Sequence, residues 1–196
     1  MDLTSYWDHV DPERFLQTPE EGYNKPIRQL YRQLLAHLQV RNMLEVGCGP
    51  GVDYVGAVNT NPGIGYTGGD ITPKMIEYCK RTYPAGHFLQ ADIYSLPFGD
   101  NSFDFVYCKD VLNHLEHWEN GFSELRRVSS RYVLVNFFYG LGTSTVKKKE
   151  VYDGHINHYY DWNEVMTKLS AFQPLAIVVY PRSCEFEETM ILFQKG

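Results

Sequence analysis

The sequence predicts an α/β fold with a mostly parallel sheet covered by helices on both faces. Three observations point there. Strand-like and helix-like segments alternate along most of the chain. That alternation is the signature of parallel strands joined by helical crossovers. One strand candidate, Tyr132–Phe138, is apolar almost throughout, as strands covered on both faces are. A glycine-rich stretch also sits between a short apolar run and a helical one, where an α/β unit turns from strand to helix.

Each element can be justified in order. Ile27, Leu30, Tyr31, Leu34, Leu35 and Leu38 recur at helical spacing and make one apolar face, with Pro26 suited to the first turn. Val40–Val46 is a short apolar run ending in glycines, hence a buried strand, and Gly51–Val58 is a short helix. Tyr66–Gly69 is a second strand, closed by Asp70. Thr72 followed by Pro73 is a fitting N-cap and first position for a helix through Thr82. His87–Ala91 and Phe103–Cys108 are the third and fourth strands. Trp118, Phe122, Leu125 and Val128 line one side of a helix, and Tyr132–Phe138 is a fifth strand. Tyr139–Tyr160 shows no clear periodicity and is expected to be irregular. Asp161 and Glu164 form a capping pair for a helix to about Ser170, and Leu175–Tyr180 and Thr189–Gln194 close the sheet.

The 196 residues suit one domain, 1–196, with an N-terminal helical cap at 1–39 and a substrate or lid segment at 139–160. No stretch approaches the ~20 apolar residues of a membrane helix, and the polar, acidic Met1–Asp11 is no secretory signal. The net charge of −6 disfavours nucleic acid as a partner. The single basic run, Lys147-Lys148-Lys149, is followed at once by Glu150 and is expected to be a solvated loop. Cys48, Cys79, Cys108 and Cys184 are scattered, with no metal-binding spacing. They suit reduced thiols in a cytoplasmic protein, and no metal is expected.

The most informative stretch is Leu44-Glu45-Val46-Gly47-Cys48-Gly49-Pro50-Gly51. Glycine belongs where the backbone turns sharply or lets a ligand approach, because a Cβ would collide. The dinucleotide fingerprint G-x-G-x-x-G is not met, since its third glycine position holds Val52. A nicotinamide dehydrogenase is thereby disfavoured. Asp70 ends the second strand and Asp92 follows the third, in Gln90-Ala91-Asp92-Ile93. Taken singly, the loop is also readable as an ordinary tight turn, and each aspartate as a strand-end turn residue.

Glu45-x-Gly47-x-Gly49-x-Gly51 with Asp70 and Asp92 resembles the class I S-adenosylmethionine-dependent methyltransferases, particularly the group similar to ubiquinone and menaquinone biosynthesis methyltransferases. Leu96–Asp104, Val111–Leu115 and Glu124–Val128 extend the likeness over about residues 40–138. The glycine-containing turn common before the family's fifth strand is replaced by Ser129-Ser130-Arg131. The resemblance implies a Rossmann-like three-layer sandwich, whose seven-stranded, mostly parallel sheet has an antiparallel last strand lying between two others.

It also implies the cofactor S-adenosyl-L-methionine, with S-adenosyl-L-homocysteine as product. Glu45 would organise the glycine loop and face the methionine amino group. Gly47, Cys48, Gly49 and Gly51 would let the cofactor approach closely. Asp70 would hold the ribose, Asp92 the adenine, and Ile71 and Ile93 would sandwich the ring. Lys109 would offer its carbonyl to the amino group.

The implied reaction is methyl transfer to the oxygen or nitrogen of a small-molecule acceptor by a monomer or homodimer, without nucleic acid or membrane as partner. A sulfonium methyl is already activated, so position matters more than a fixed catalytic set. His114, His155 and His158 are the candidate bases, each also readable as a packing residue or a polar loop residue. Tyr6, Trp7, Tyr139 and Tyr159 are the candidate substrate contacts. A non-catalytic cofactor-binding scaffold and a protein or RNA methyltransferase stay open as alternatives. Against amino-group methylation stands Lys109-Asp110-Val111-Leu112, where an Asn-Pro-Pro-Tyr-like signature would be expected.

Overall fold

The computed structural model describes residues 6–17, 25–138, 148–152, 155–181 and 187–196. Two helices come first, α1 (Pro12–Gln17) and α2 (Pro26–His37). Then follow β1 (Asn42–Val46), α3 (Val52–Thr60), β2 (Gly65–Asp70), α4 (Pro73–Thr82), β3 (His87–Gln90) and β4 (Phe103–Cys108). A 3₁₀ turn, Leu112–His114, leads to α5 (Trp118–Val128) and β5 (Ser129–Phe137). The chain closes with β6 (Lys148–Tyr152), β7 (His155–Tyr159), α6 (Trp162–Ser170), β8 (Pro174–Pro181) and β9 (Glu187–Gln194).

The main sheet has the order β3-β2-β1-β4-β5-β9-β8. The first five strands are mutually parallel, and β9 runs antiparallel to both β5 and β8. The expected seven-stranded arrangement, with the last strand inserted between two others, is what is found. β1 and β4 are neighbours whose outgoing connections lead to opposite halves of the sheet. Their carboxyl ends form the crevice in which such sheets bind ligands.

Alternation within the central strands creates the layers. Leu44, Val46, Val106, Cys108, Val133 and Val135 join one buried cluster, against Phe122 and Leu125 of α5 and Val165 and Leu169 of α6. Met43, Phe105, Tyr107 and Leu134 join the other, against Ile27, Tyr31 and Leu35 of α2 and Ile76 and Cys79 of α4. Strand side chains point alternately to the two faces, so one apolar strand feeds two cores. Tyr31 of α2 stacks on Tyr107 of β4, with ring centres 4.3 Å apart. Each such fully buried side chain contributes roughly 1.5–3 kcal/mol.

Four expectations need correction. Part of the segment expected to be irregular forms an antiparallel hairpin, β6 against β7, with Lys149 opposite His158. Lys148 and Lys149 therefore lie in a strand rather than a loop. The hairpin escapes notice because its strands, Lys-Lys-Glu-Val-Tyr and His-Ile-Asn-His-Tyr, carry few apolar residues to reveal a period of two. Ser129 to Arg131 already belong to β5, with Ser129 paired to Phe103. Thr72 precedes α4 as expected, but its side chain caps no helical N–H, turning to the Asp70 carboxylate instead. Asp161 does cap α6, accepting the Glu164 N–H at 3.0 Å.

Candidate functional site

The site begins where β1 becomes α3. Gly47, Gly49 and Gly51 all have positive φ, at 79°, 49° and 78°, where side chains other than glycine are strained. The N–H groups of Gly47 and Cys48 both donate to the Gly69 carbonyl, which ties the loop to β2. A Cβ at Gly47 would fall 2.1 Å from Val111, so the segment leaving β4 closes directly onto the loop. A Cβ at Gly51 would strike Tyr83. At Gly49 it would meet nothing within 4 Å, so this turn of the loop faces open space at the strand ends. That is the shape a ligand approaching the backbone requires.

Asp70 closes β2 beside this opening. Its two carboxylate oxygens accept the N–H groups of Gly49 and Thr72, each at 2.9 Å. Burial raises the Asp70 pKa, the Thr72 and Gly49 contacts oppose the rise, and the Asp8 carboxylate adds to it. Asp8 therefore lies close enough to couple to Asp70, bringing the N-terminal segment to the same edge. Asp92, one strand further out, is exposed and accepts the Tyr94 N–H at 2.9 Å. Ile71 is half-buried. Ile93 is buried and packs toward Gly121 and the core of the α5 face.

Glu45 points to the α2 face of β1 and is buried there. Its carboxylate accepts the Tyr66 hydroxyl. Burial lifts its pKa to about 7, against the opposing effects of Tyr66, Arg28 and Lys109. Two buried cysteines belong to this corner, Cys48 within the loop and Cys79 of α4 against it. Cys79 directs its thiol to the Gly49 carbonyl at 3.1 Å, and the Cys79 contact, together with burial, raises the Cys48 pKa.

Beyond β4 lies a polar cluster that the sequence reading missed. Asp110 has φ +56°, and Asn136 of β5 clamps it there. The Asn136 side-chain carbonyl accepts the Asp110 N–H at 2.7 Å, while its amide donates to the Asp110 carboxylate at 2.6 Å and to Glu188. Lys25 and Lys109 both reach Asp110, and Lys25 lies 3.6 Å from Glu188. The expected Lys109 carbonyl is thus held on a backbone fixed from β5 and β9. The available signal was Asn136 itself, the one polar residue in Tyr132–Phe138.

The candidate bases and substrate residues divide. His114, on the 3₁₀ turn after β4, sets its Nδ1 2.8 Å from the Ile156 carbonyl of β7. Trp7 meets its ring edge-on at 5.4 Å, and Phe138 lies at 6.4 Å. Tyr6 packs edge-on against Trp7 at 4.9 Å. The structure thus brings His114, Tyr6 and Trp7 together. His158 instead stacks flat on Tyr160, whose hydroxyl donates to the Leu115 carbonyl. Tyr159 is buried. Of His155 only the backbone in β7 is described, and Tyr139 lies outside the described residues. Among the described residues no group of histidine, cysteine, aspartate or glutamate is arranged to hold a metal. No described helix is long and apolar enough to cross a membrane.

Comparison with known proteins gives the same picture. A family model described as a methyltransferase domain matches residues 44–131. An O-methyltransferase of Aspergillus nomiae is 29% identical over 149 residues, covering 70% of this chain and 63% of that protein. This chain thus spans less than two thirds of that relative's length. The fold is shared with magnesium protoporphyrin IX methyltransferase from Synechocystis PCC 6803, solved with bound S-adenosylhomocysteine. That likeness has a TM-score of 0.72 at 16% identity and covers 98% of each chain. A Burkholderia thailandensis 1,6-didemethyltoxoflavin-N1-methyltransferase, solved with bound 1,6-didemethyltoxoflavin and S-adenosylhomocysteine, gives a TM-score of 0.69 at 16% identity. It covers all of this chain and 91% of its own. The glycine loop, the two strand-end aspartates and the strand order are similar to those of the class I S-adenosylmethionine-dependent methyltransferases, and residues 44–131 match the methyltransferase-domain model.

Proposed function

We propose that this chain transfers the methyl group of S-adenosylmethionine to the oxygen or nitrogen of a small-molecule acceptor. The observation that carries the reading is the glycine loop: three positive-φ glycines open to space at Gly49, with the Asp70 carboxylate fastened to the loop. The sulfonium supplies an activated methyl when the cofactor is bound, and the chain's own residues do the positioning. Asp70 accepts hydrogen bonds from the ribose hydroxyls, and Asp92 receives the adenine amino group between Ile71 and Ile93. The loop from Gly47 to Gly51, with Cys48, admits the methionine portion. Glu45 and the Lys109 carbonyl face its ammonium. The edge from β3 through β2 and β1 to β4 then lays out adenine, ribose, methionine and acceptor in that order. Tyr6 and Trp7 border the acceptor, Tyr139 and Tyr159 are further candidate contacts, and His114, His155 and His158 are its candidate bases.

Calorimetry with S-adenosylmethionine, S-adenosylhomocysteine and NAD tests the reading. Saturable binding of both adenosyl ligands is expected, with no heat from NAD. Asp70→Ala removes a charge-assisted pair of hydrogen bonds and should weaken binding at least ~10-fold. Folded wild-type protein that binds neither adenosyl ligand would refute the reading.

A further inference from the structure

We propose that Cys48 and Cys79 form a reversible dithiol–disulfide pair, and that closing the bridge loosens the hold of the glycine loop on the cofactor. The effect on the cofactor rests on the methyl-transfer reading above, whereas the bridge itself does not.

The chain brings the two thiols together from both sides. Cys48 stands inside the loop, between Gly47 and Gly49. Met75, Ile76 and Cys79 recur at helical spacing on the buried face of α4, which turns the Cys79 thiol inward. Both thiols then converge on one acceptor. The Gly49 carbonyl lies 3.1 Å from the Cys79 Sγ and 3.8 Å from the Cys48 Sγ, and the two thiols also contact each other. A metal would need further ligands, and among the described residues no third histidine, cysteine, aspartate or glutamate joins them. Cys108 belongs to the core cluster on the other face of the sheet, and Cys184 lies outside the described residues.

The bridge has a mechanical consequence. A disulfide holds its sulfurs about 2.05 Å apart, closer than two thiols in contact. Forming it draws the loop and α4 together and removes both S–H donors from the Gly49 carbonyl. The residues beside Cys48 have little room to follow. Gly47 and Gly49 flank it at positive φ, and the turn at Gly47 is closed by Val111. The Gly49 N–H holds the Asp70 carboxylate at 2.9 Å. A shift at Cys48 therefore reaches the Gly49–Asp70 contact, and with it the ribose end of the cofactor site.

A peroxide is the oxidant, and the step balances. One thiol, as its thiolate, attacks a peroxide oxygen and becomes a sulfenic acid, and the displaced hydroxide takes up the released proton as water. The second thiol attacks that sulfur, a second water leaves, and the S–S bond remains. Two electrons and two protons pass from the pair to one hydrogen peroxide, and a small thiol such as glutathione reverses the bridge by exchange. The Cys79 contact and burial raise the Cys48 pKa, which slows the reaction while the loop is closed. Oxidation thus proceeds through opening of the loop, and a cofactor seated there opposes it.

The test treats the purified full chain with hydrogen peroxide, alkylates the remaining thiols and maps the digest without reduction. A cross-linked pair of Cys48 and Cys79 peptides is expected, lighter by two hydrogens than the reduced peptides and split by dithiothreitol. In calorimetry the oxidised protein should bind S-adenosylhomocysteine about tenfold more weakly, and dithiothreitol should restore the affinity. By reciprocity, the saturating ligand should raise the midpoint of the pair in glutathione buffers by about 30 mV, the same tenfold expressed as a potential. Peroxide should change the affinity of Cys79→Ala by less than about twofold. The proposal is overturned if both cysteines stay open to alkylation under peroxide that fully oxidises free dithiothreitol. It is also overturned if they become sulfinic acids without bridging, or bridge to Cys108 or Cys184 instead. Bridged wild type that binds S-adenosylhomocysteine within about twofold of the reduced protein, or Cys79→Ala that loses affinity as wild type does, would equally sink it. Reduced wild type that binds no S-adenosylhomocysteine would remove the methyl-transfer reading, while the peptide map would still decide whether the bridge forms.

Discussion

Glu45 shows how one residue links the site to stability. Its folded pKa of about 7 lies above the unfolded value of 4.5, chiefly because burial disfavours the charged form. Between those values the folded protein holds more protons than the unfolded chain, so stability falls as pH rises from about 4.5 to about 7 and then levels. The gap corresponds to about 3 kcal/mol. Glu45→Gln should lack this slope and gain on wild type at pH 8, as urea denaturation at several pH values would show. Parallel curves for the two proteins would contradict the assignment. Asp70 and the glycines were legible at this scale because their spacing from strand ends is fixed by local backbone geometry. The aim of Glu45 at Tyr66 was not, because two strands must pair before that contact exists.

At the scale of elements, α2 and α3 are joined by a buried ion pair between Arg28 and Asp53. Two charges brought out of water repay the desolvation cost only while both are present. Asp53→Ala should cost about 3–5 kcal/mol, whereas Arg28→Met combined with Asp53→Leu should return close to wild type. Chemical denaturation of the single and double variants checks this, and equal losses in both would show that the pair is not coupled. The helix face was readable from apolar spacing, yet Arg28 inside that face gave no hint of its partner 25 residues on. Likewise the β6–β7 hairpin stayed hidden, since its stability comes from pairing and from packing on the Leu112–His114 turn rather than from a marked apolar pattern.

For the molecule as a whole, the site is assembled from many separate segments. The N-terminal residues, the loop after β1, the ends of β2 and β4 and the hairpin all meet at one edge. A ligand bound there stabilises only the folded state. S-adenosylhomocysteine at 100 times its dissociation constant should add about 2.7 kcal/mol. At roughly 2–4 °C per kcal/mol for a chain of this size, the unfolding temperature should rise by about 5–10 °C. Differential scanning calorimetry with and without the ligand measures it, and an unchanged midpoint at saturation would argue against binding to the folded form.

The sequence by itself determined the α/β architecture, the order of the elements and the strand-end positions of Gly47, Gly49, Gly51, Asp70 and Asp92. These follow from periodicity and backbone sterics, which act over a few residues. Tertiary structure alone decided that part of the segment after β5 pairs as the β6–β7 hairpin. It decided that Lys25, Lys109, Asp110, Asn136 and Glu188 meet in one cluster. It also decided that His114, rather than His158, faces Trp7 beside the crevice. These contacts join residues tens to more than a hundred positions apart. Only the burial of both faces of the sheet, summed over the whole chain, offsets the chain entropy of bringing them together.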